Sequence, residues 1–87
     1  MMKPIRKKDL VFNKLNDQMI IINFNSSRQF HQANEVGSRI WELCDGNHSQ
    51  NQILDILVDE FEESPETIKN DLIEYLALLK KNELLDY

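Results

Sequence analysis

The spacing of apolar residues changes character once along this chain, at about residue 33. Before that point the apolar residues come in short runs rich in β-branched and aromatic side chains. LVFNKL (residues 10–15) and MIIINF (residues 19–24) flank Asn16-Asp17, a pair suited to the positive φ of a two-residue hairpin turn. The β-branched run Ile20-Ile21-Ile22 predicts a strand buried on both faces or central in a small sheet. Asn25-Ser26-Ser27 reads as a second turn, after which RQFHQ, residues 28–32, pairs back as a third strand. That strand is short and polar, with Phe30 as its apolar anchor.

After residue 33 the apolar positions recur every three or four residues, as a helix requires. A first helix is expected over residues 34–44. Asn34 is its N-cap, Gly46 lies just beyond its end, and Val36, Ile40, Leu43 and Cys44 share one face. Gly37 sits beside that face, where the missing side chain permits close backbone contact. Ser49 caps a second helix whose inner stripe is Ile53, Leu57 and Phe61, widened by Leu54 and Val58. Ser64-Pro65-Glu66 opens a third helix with a capping hydroxyl, a proline in the first turn and a carboxylate at the positive end of the dipole. Its core face is Ile68, Leu72, Tyr75, Leu76 and Leu79; Asn82 ends it, and Leu84-Leu85 pack the tail. The expected architecture is α+β and winged helix-turn-helix-like: a three-stranded antiparallel sheet followed by three helices.

Eighty-seven residues suffice for one domain and leave little room for a large enzymatic cavity. The segment MMKPIRKK lacks periodicity, so residues 1–9 are expected to form a flexible basic tail ahead of a folded domain spanning residues 10–87. No apolar stretch follows its positive charges, as a signal peptide would require, and no run is long enough to cross a membrane. With a single cysteine there is no internal disulfide, and a cytoplasmic location is expected.

Catalysis and metal binding find little support. Cys44, His31 and His48 are the only soft ligands, and they lack the paired spacing of a zinc site. Cys44 falls on an apolar helix face and reads as a small core hydrophobe. With two glycines, nine residues apart, there is no phosphate-cradling loop. The chain is therefore read as a non-enzyme without cofactor or metal.

Charge decides the next alternative, a winged-helix DNA-binding transcription regulator. Residues 1–41 carry a net +4 and residues 42–87 a net −9. The second helix holds Asp55, Asp59, Glu60 and Glu62 with no basic residue, and the third holds Glu66, Asp71 and Glu74 against Lys69, with Lys80 and Lys81 only at its far end. Such a surface repels phosphate, so no nucleic-acid partner is expected.

The ordered set Asn34, Val36, Gly37, Arg39, Ile40, Trp41, Leu43, Asp45, Gly46, Ser49, Ile53, Asp71, Leu72, Leu76 and Leu79 resembles the pyrroloquinoline-quinone synthesis protein D (PqqD) family. The resemblance covers residues 10–85. One departure is Glu83, where that family usually has glycine; Asn82 is expected to supply the left-handed cap instead.

The resemblance implies a recognition element for ribosomally made, post-translationally modified peptides. Such a domain binds the leader segment of a precursor peptide and presents it to a modifying enzyme such as a radical SAM protein, or to the leader peptidase of a lasso-peptide pathway. The leader would add as a strand beside the third β-strand, in a groove completed by the third helix. The residues expected to contact it are Arg28, Gln29, Phe30, His31 and Gln32 on the strand, with Lys69, Ile73, Leu76, Ala77 and Lys80 on the helix. The opposite flank of that helix, with Asp71, Tyr75 and Leu78, is a second groove wall that spacing leaves open, and so is monomer against dimer. Arg39 and Asp71 are expected to form a structural ion pair, and Trp41 to pack in the core.

Overall fold

The computed structural model describes residues 3–8, 10–23 and 29–86. Strands β1 (Leu10–Leu15), β2 (Gln18–Asn23) and β3 (Gln29–Ala33) precede helices α1 (Glu35–Leu43), α2 (Gln50–Glu60) and α3 (Pro65–Lys81). The sheet is antiparallel in the order β1-β2-β3, so the triple-isoleucine strand is central. The β1–β2 turn is made by Asn16, which adopts φ 57°. The expected turn at Asn25-Ser26-Ser27 lies outside the described residues.

Directly paired residues of antiparallel strands share a face. Met19 and Ile21 are buried on the inner face, opposite Ala33 and His31 of β3 and Lys14 and Phe12 of β1. Ile20 and Ile22 are half-buried on the outer face. The helices cover the inner face. Ile40 and Trp41 of α1, Ile53 and Leu57 of α2, and Ile68, Leu72, Leu76 and Leu79 of α3 form one cluster with Met19 and Ile21. Burying each such side chain stabilises the fold by at most about 1.5–3 kcal/mol. Trp41 is fully buried, with its ring edge-on to Phe12 at 5.5 Å between centroids.

The helix starts follow from local chemistry. The side-chain oxygens of Asn34, Ser49 and Ser64 accept from the backbone N–H of Gly37, Gln52 and Thr67, and Gln52 returns a bond to Ser49 to complete a capping box. The end of α3 differs from expectation. Asn82 keeps φ −91°, and Glu83 takes the left-handed conformation at φ 60°. Glu83 N–H donates to Lys80 O and Leu84 N–H to Leu79 O, the two bonds of a Schellman motif. The second of these brings Leu84 and Leu79, both buried, together.

The N-terminal segment also departs from its reading as a flexible tail. Arg6 N–H donates to Cys44 O, Gly46 N–H to Pro4 O, Lys7 N–H to Leu84 O and Asp86 N–H to Ile5 O. These isolated bridges strap residues 4–7 between the α1–α2 turn and the C-terminal segment. Arg6 Nη1 donates to the carbonyls of Trp41 and Glu42, both at 2.9 Å, and its guanidinium lies over the Phe12 and Trp41 rings. The last turn of α1 holds no basic residue of its own, so Arg6 supplies the positive charge its carbonyl end favours.

Candidate functional site

The sheet ends at β3. Among the described residues, no strand pairs with the flank of β3 that faces away from β2. Within an antiparallel pair, backbone N–H and C=O groups alternate between the two sides of a strand, so half of those in β3 project from this open edge. His31 is half-buried on the inner face, and Gln32, on the outer face, donates from Nε2 to Gln18 Oε1. Gln29 and Phe30 contribute backbone positions to the strand. Arg28 lies outside the described residues.

One residue beyond β3 the chain turns into α1, and that junction is tightly held. Ser38, buried, bonds through Oγ to the carbonyls of Ala33 and Asp17, which fastens α1 to β3 and to the hairpin turn. A Cβ at Gly37 would stand 3.2 Å from both the Ala33 methyl and the Tyr75 ring. The bare backbone at Gly37 therefore lets α3 approach the end of β3.

A cavity of about 390 Å³ opens at this convergence, lined by Asn34, Val36, Gly37 and Ile40 of the α1 side and Asp71, Glu74, Tyr75 and Leu78 of α3. The four α3 positions recur at three- and four-residue spacing and so share one face. Val36, Ile40, Tyr75 and Leu78 make its apolar surface, and Leu78 is an exposed large hydrophobe. Asp71 is half-buried and Glu74 exposed, and among the described residues neither makes a salt bridge. Burial pushes the Tyr75 phenol up to about 12, so the hydroxyl stays neutral at physiological pH.

Of the helix residues expected to contact a leader, none lines this cavity. Lys69, Ile73, Ala77 and Lys80 are exposed on the other flank of α3 and do not line this cavity. Leu76 is 4% exposed and belongs to the core. The cavity lies on the flank of Asp71, Tyr75 and Leu78, the second wall that spacing had left open. Asn34, Val36 and Ile40 had been read as a cap and a core stripe. The signal that could have found them is Gly37, a glycine inside a helix beside an apolar face.

Two further expectations are settled by geometry. Arg39 forks onto Glu60 rather than Asp71, with Nε–Oε1 at 2.8 Å and Nη2–Oε2 at 2.9 Å, because α2 lies closer to that side of α1. The paired guanidinium holds the Glu60 carboxyl below its ordinary value. Cys44 is buried as a core residue, and desolvation pushes its thiol up to about 12. Asp45 Oδ1 accepts from the Asn47 N–H, which lowers its carboxyl, and also pairs with His48 Nδ1 at 2.9 Å. Among the described residues no group of three or more His, Cys, Asp or Glu side chains could hold a metal ion. No described helix is long and apolar enough to cross a membrane.

Comparison with known proteins follows the same lines. The sequence model of coenzyme PQQ synthesis protein D (PqqD) matches residues 18–85. Among solved structures, the fold is similar to one described as TbiB1 in complex with the TbiA(beta) leader peptide, with a TM-score of 0.82 and 24% identity over 94% of each chain. It is also similar to lasso peptide synthetase B1 complexed with the leader peptide, with a TM-score of 0.81 and 16% identity over 98% of this chain and 99% of that one. No curated protein matches the sequence significantly.

Proposed function

The chain belongs to the PqqD family, and we propose that it binds the leader segment of a ribosomally made precursor peptide and presents it to a modifying enzyme. The observation that carries this reading is the continuity of the open β3 edge with the α1–α3 cavity, which begins at the next residue, Asn34. An extended leader laid on β3 would pair with its free backbone groups and place a side chain in the cavity as it passes Asn34.

Magnitudes show why both parts are needed. Four or five backbone hydrogen bonds at about 0.5–1.5 kcal/mol net each give several kcal/mol and no sequence selectivity. Micromolar binding requires about −8 kcal/mol after the cost of association. The cavity supplies the remainder and the selectivity.

The two structural relatives were both solved with a leader peptide, and one is named for lasso peptide synthesis. The second name supports a lasso-type pathway; in such a pathway the enzyme partner would be a leader peptidase, and the proposed compartment is the cytoplasm. A DNA-reading role is not favoured: Asp55, Asp59 and Glu60 are exposed on α2, which carries no basic residue.

The test is a titration of the ¹⁵N-labelled full chain with synthetic leader segments of short precursor peptides encoded near its gene, where such a reading frame is found. Amide shifts concentrated on residues 29–33, Asn34, Gly37 and residues 74–78 are expected. Saturating shifts confined to the α1–α2 turn and the N-terminal strap, or none at millimolar peptide, would overturn the reading.

A further inference from the structure

The walls of the α1–α3 cavity specify more than an apolar anchor. Asp71 stands at one side, half-buried, and Glu74 follows one turn later on the same face of α3. Glu35, the first residue of α1, is exposed next to the lining residues Asn34 and Val36. Among the described residues no lysine, arginine or histidine lines the cavity, and Asp71 and Glu74 have no ion-pair partner. Glu42 and Glu60, by contrast, are paired with Lys14 and Arg39.

We propose that the cavity takes a leader whose apolar or aromatic anchor residue is flanked by lysine or arginine, and that Asp71 and Glu74 select it. This rests on the peptide-binding reading above. A volume of about 390 Å³ is near the lower end of ligand sites and matches a large side chain with its neighbours. The anchor packs on Val36, Tyr75 and Leu78. A cation on the next outward-facing residue of an extended peptide reaches the carboxylates at the rim, losing little hydration there. The surrounding field acts in the same sense, since residues 42–87 carry a net −9 and would speed the encounter with a basic segment. An acidic leader meets like charge at the mouth of the cavity and is rejected.

The opposite flank of α3 carries Lys69, Lys80 and the exposed Ile73, and would select an acidic leader if it were the groove. The cavity of about 390 Å³ lies on the Asp71 and Glu74 flank, so the two flanks make opposite predictions about leader charge.

The experiment uses the immobilised full chain and two synthetic pools of 15-residue peptides. Both pools carry one central tyrosine or leucine in randomised β-prone sequence; the residues two before and two after it are lysine in one pool and glutamate in the other. Retained peptides are sequenced, and the best from each pool is measured by fluorescence anisotropy against the wild type and Asp71→Asn/Glu74→Gln. Both substitutions keep side-chain shape and remove no described hydrogen bond.

The lysine pool is expected to be retained. The double variant should bind its best member about 5- to 10-fold more weakly at 50 mM salt, a difference shrinking to about 2-fold or less at 500 mM. Retention of glutamate peptides, or of lysine peptides that bind the double variant equally well, would overturn the charge selection while leaving peptide binding intact. Retention of neither pool would overturn both.

Discussion

Gly37 and Tyr75 are in contact across the α1–α3 junction, so close that a methyl group at position 37 would stand 3.2 Å from the ring. The glycine is thus a spacing element that sets how near α3 lies to the end of β3. Overpacking of this kind costs about 1–3 kcal/mol, and alanine's helix advantage over glycine returns up to ~1 kcal/mol. Gly37→Ala is therefore expected to destabilise the domain by about 1 kcal/mol, measured by urea denaturation. Adding Tyr75→Leu removes the collision with the ring and leaves the one with the Ala33 methyl, so the double-mutant cycle should show coupling of at least ~0.5 kcal/mol. Additive effects would mean that the ring and position 37 do not meet.

Glu83 and Gly46 are the matched pair for a backbone test. Glu83 holds φ 60° at the Schellman position, where glycine carries no steric cost. Glu83→Gly should stabilise by about 0.5–1 kcal/mol after the extra chain entropy of glycine, raising Tm by a few degrees. Gly46 holds φ 82°, and a Cβ there would stand 3.0 Å from Ile5 Cδ1. Gly46→Ala should lower Tm, with a loss of about 1–2 kcal/mol. Equal and small effects at both sites would contradict these dihedral angles.

The Arg39–Glu60 fork gives a pH signature. Its side chains are 36% and 37% exposed, so solvent screening limits the pair to about 1 kcal/mol or less. Because the folded-state Glu60 carboxyl is lowered, its contribution is complete above the ordinary glutamate value of 4.5 and disappears as pH falls through the lowered one. Glu60→Gln should therefore be less stable than wild type at pH 7, with the difference shrinking as pH falls below the ordinary glutamate value and through the lowered one. A difference that persists in acid would show that something other than the ion pair is being measured.

Proline scanning separates the two sides of β3. Adjacent residues in an antiparallel strand aim their N–H groups in opposite directions, so of His31→Pro and Gln32→Pro one removes a bond to β2 and the other an open-edge donor. One variant should unfold at markedly lower denaturant. The other should fold nearly as wild type yet bind the leader at least about 10-fold more weakly by calorimetry. If the well-folded variant binds normally, the edge is not the docking strand.

The features legible in the sequence are those decided within a few residues. The caps at Asn34, Ser49 and Ser64, the proline opening α3 and the central triple-isoleucine strand all follow from local chemistry. The position of the α1–α3 cavity is not of this kind. Both flanks of the α3 core stripe mix apolar and charged residues, and which flank faces α1 is set by the packing of Gly37 against Tyr75, which helical spacing does not encode. Arg39 finding Glu60 rather than Asp71 has the same cause, since partner choice depends on the mutual placement of helices. The N-terminal segment was read as a tail because its pairing consists of isolated bridges, which leave no periodic trace in residues 4–7.

The bond from the Asp86 N–H to the Ile5 carbonyl joins points at the two extremities of the described chain. A short covalent linker between them would turn the molecule into a ring without disturbing its core. Such a ring could be reopened at the Asn16-Asp17 hairpin turn to give a circular permutant whose new termini emerge beside the sheet rather than at the strap. In a permutant of that design the point at which an enzyme could be tethered moves from the strap to the hairpin turn.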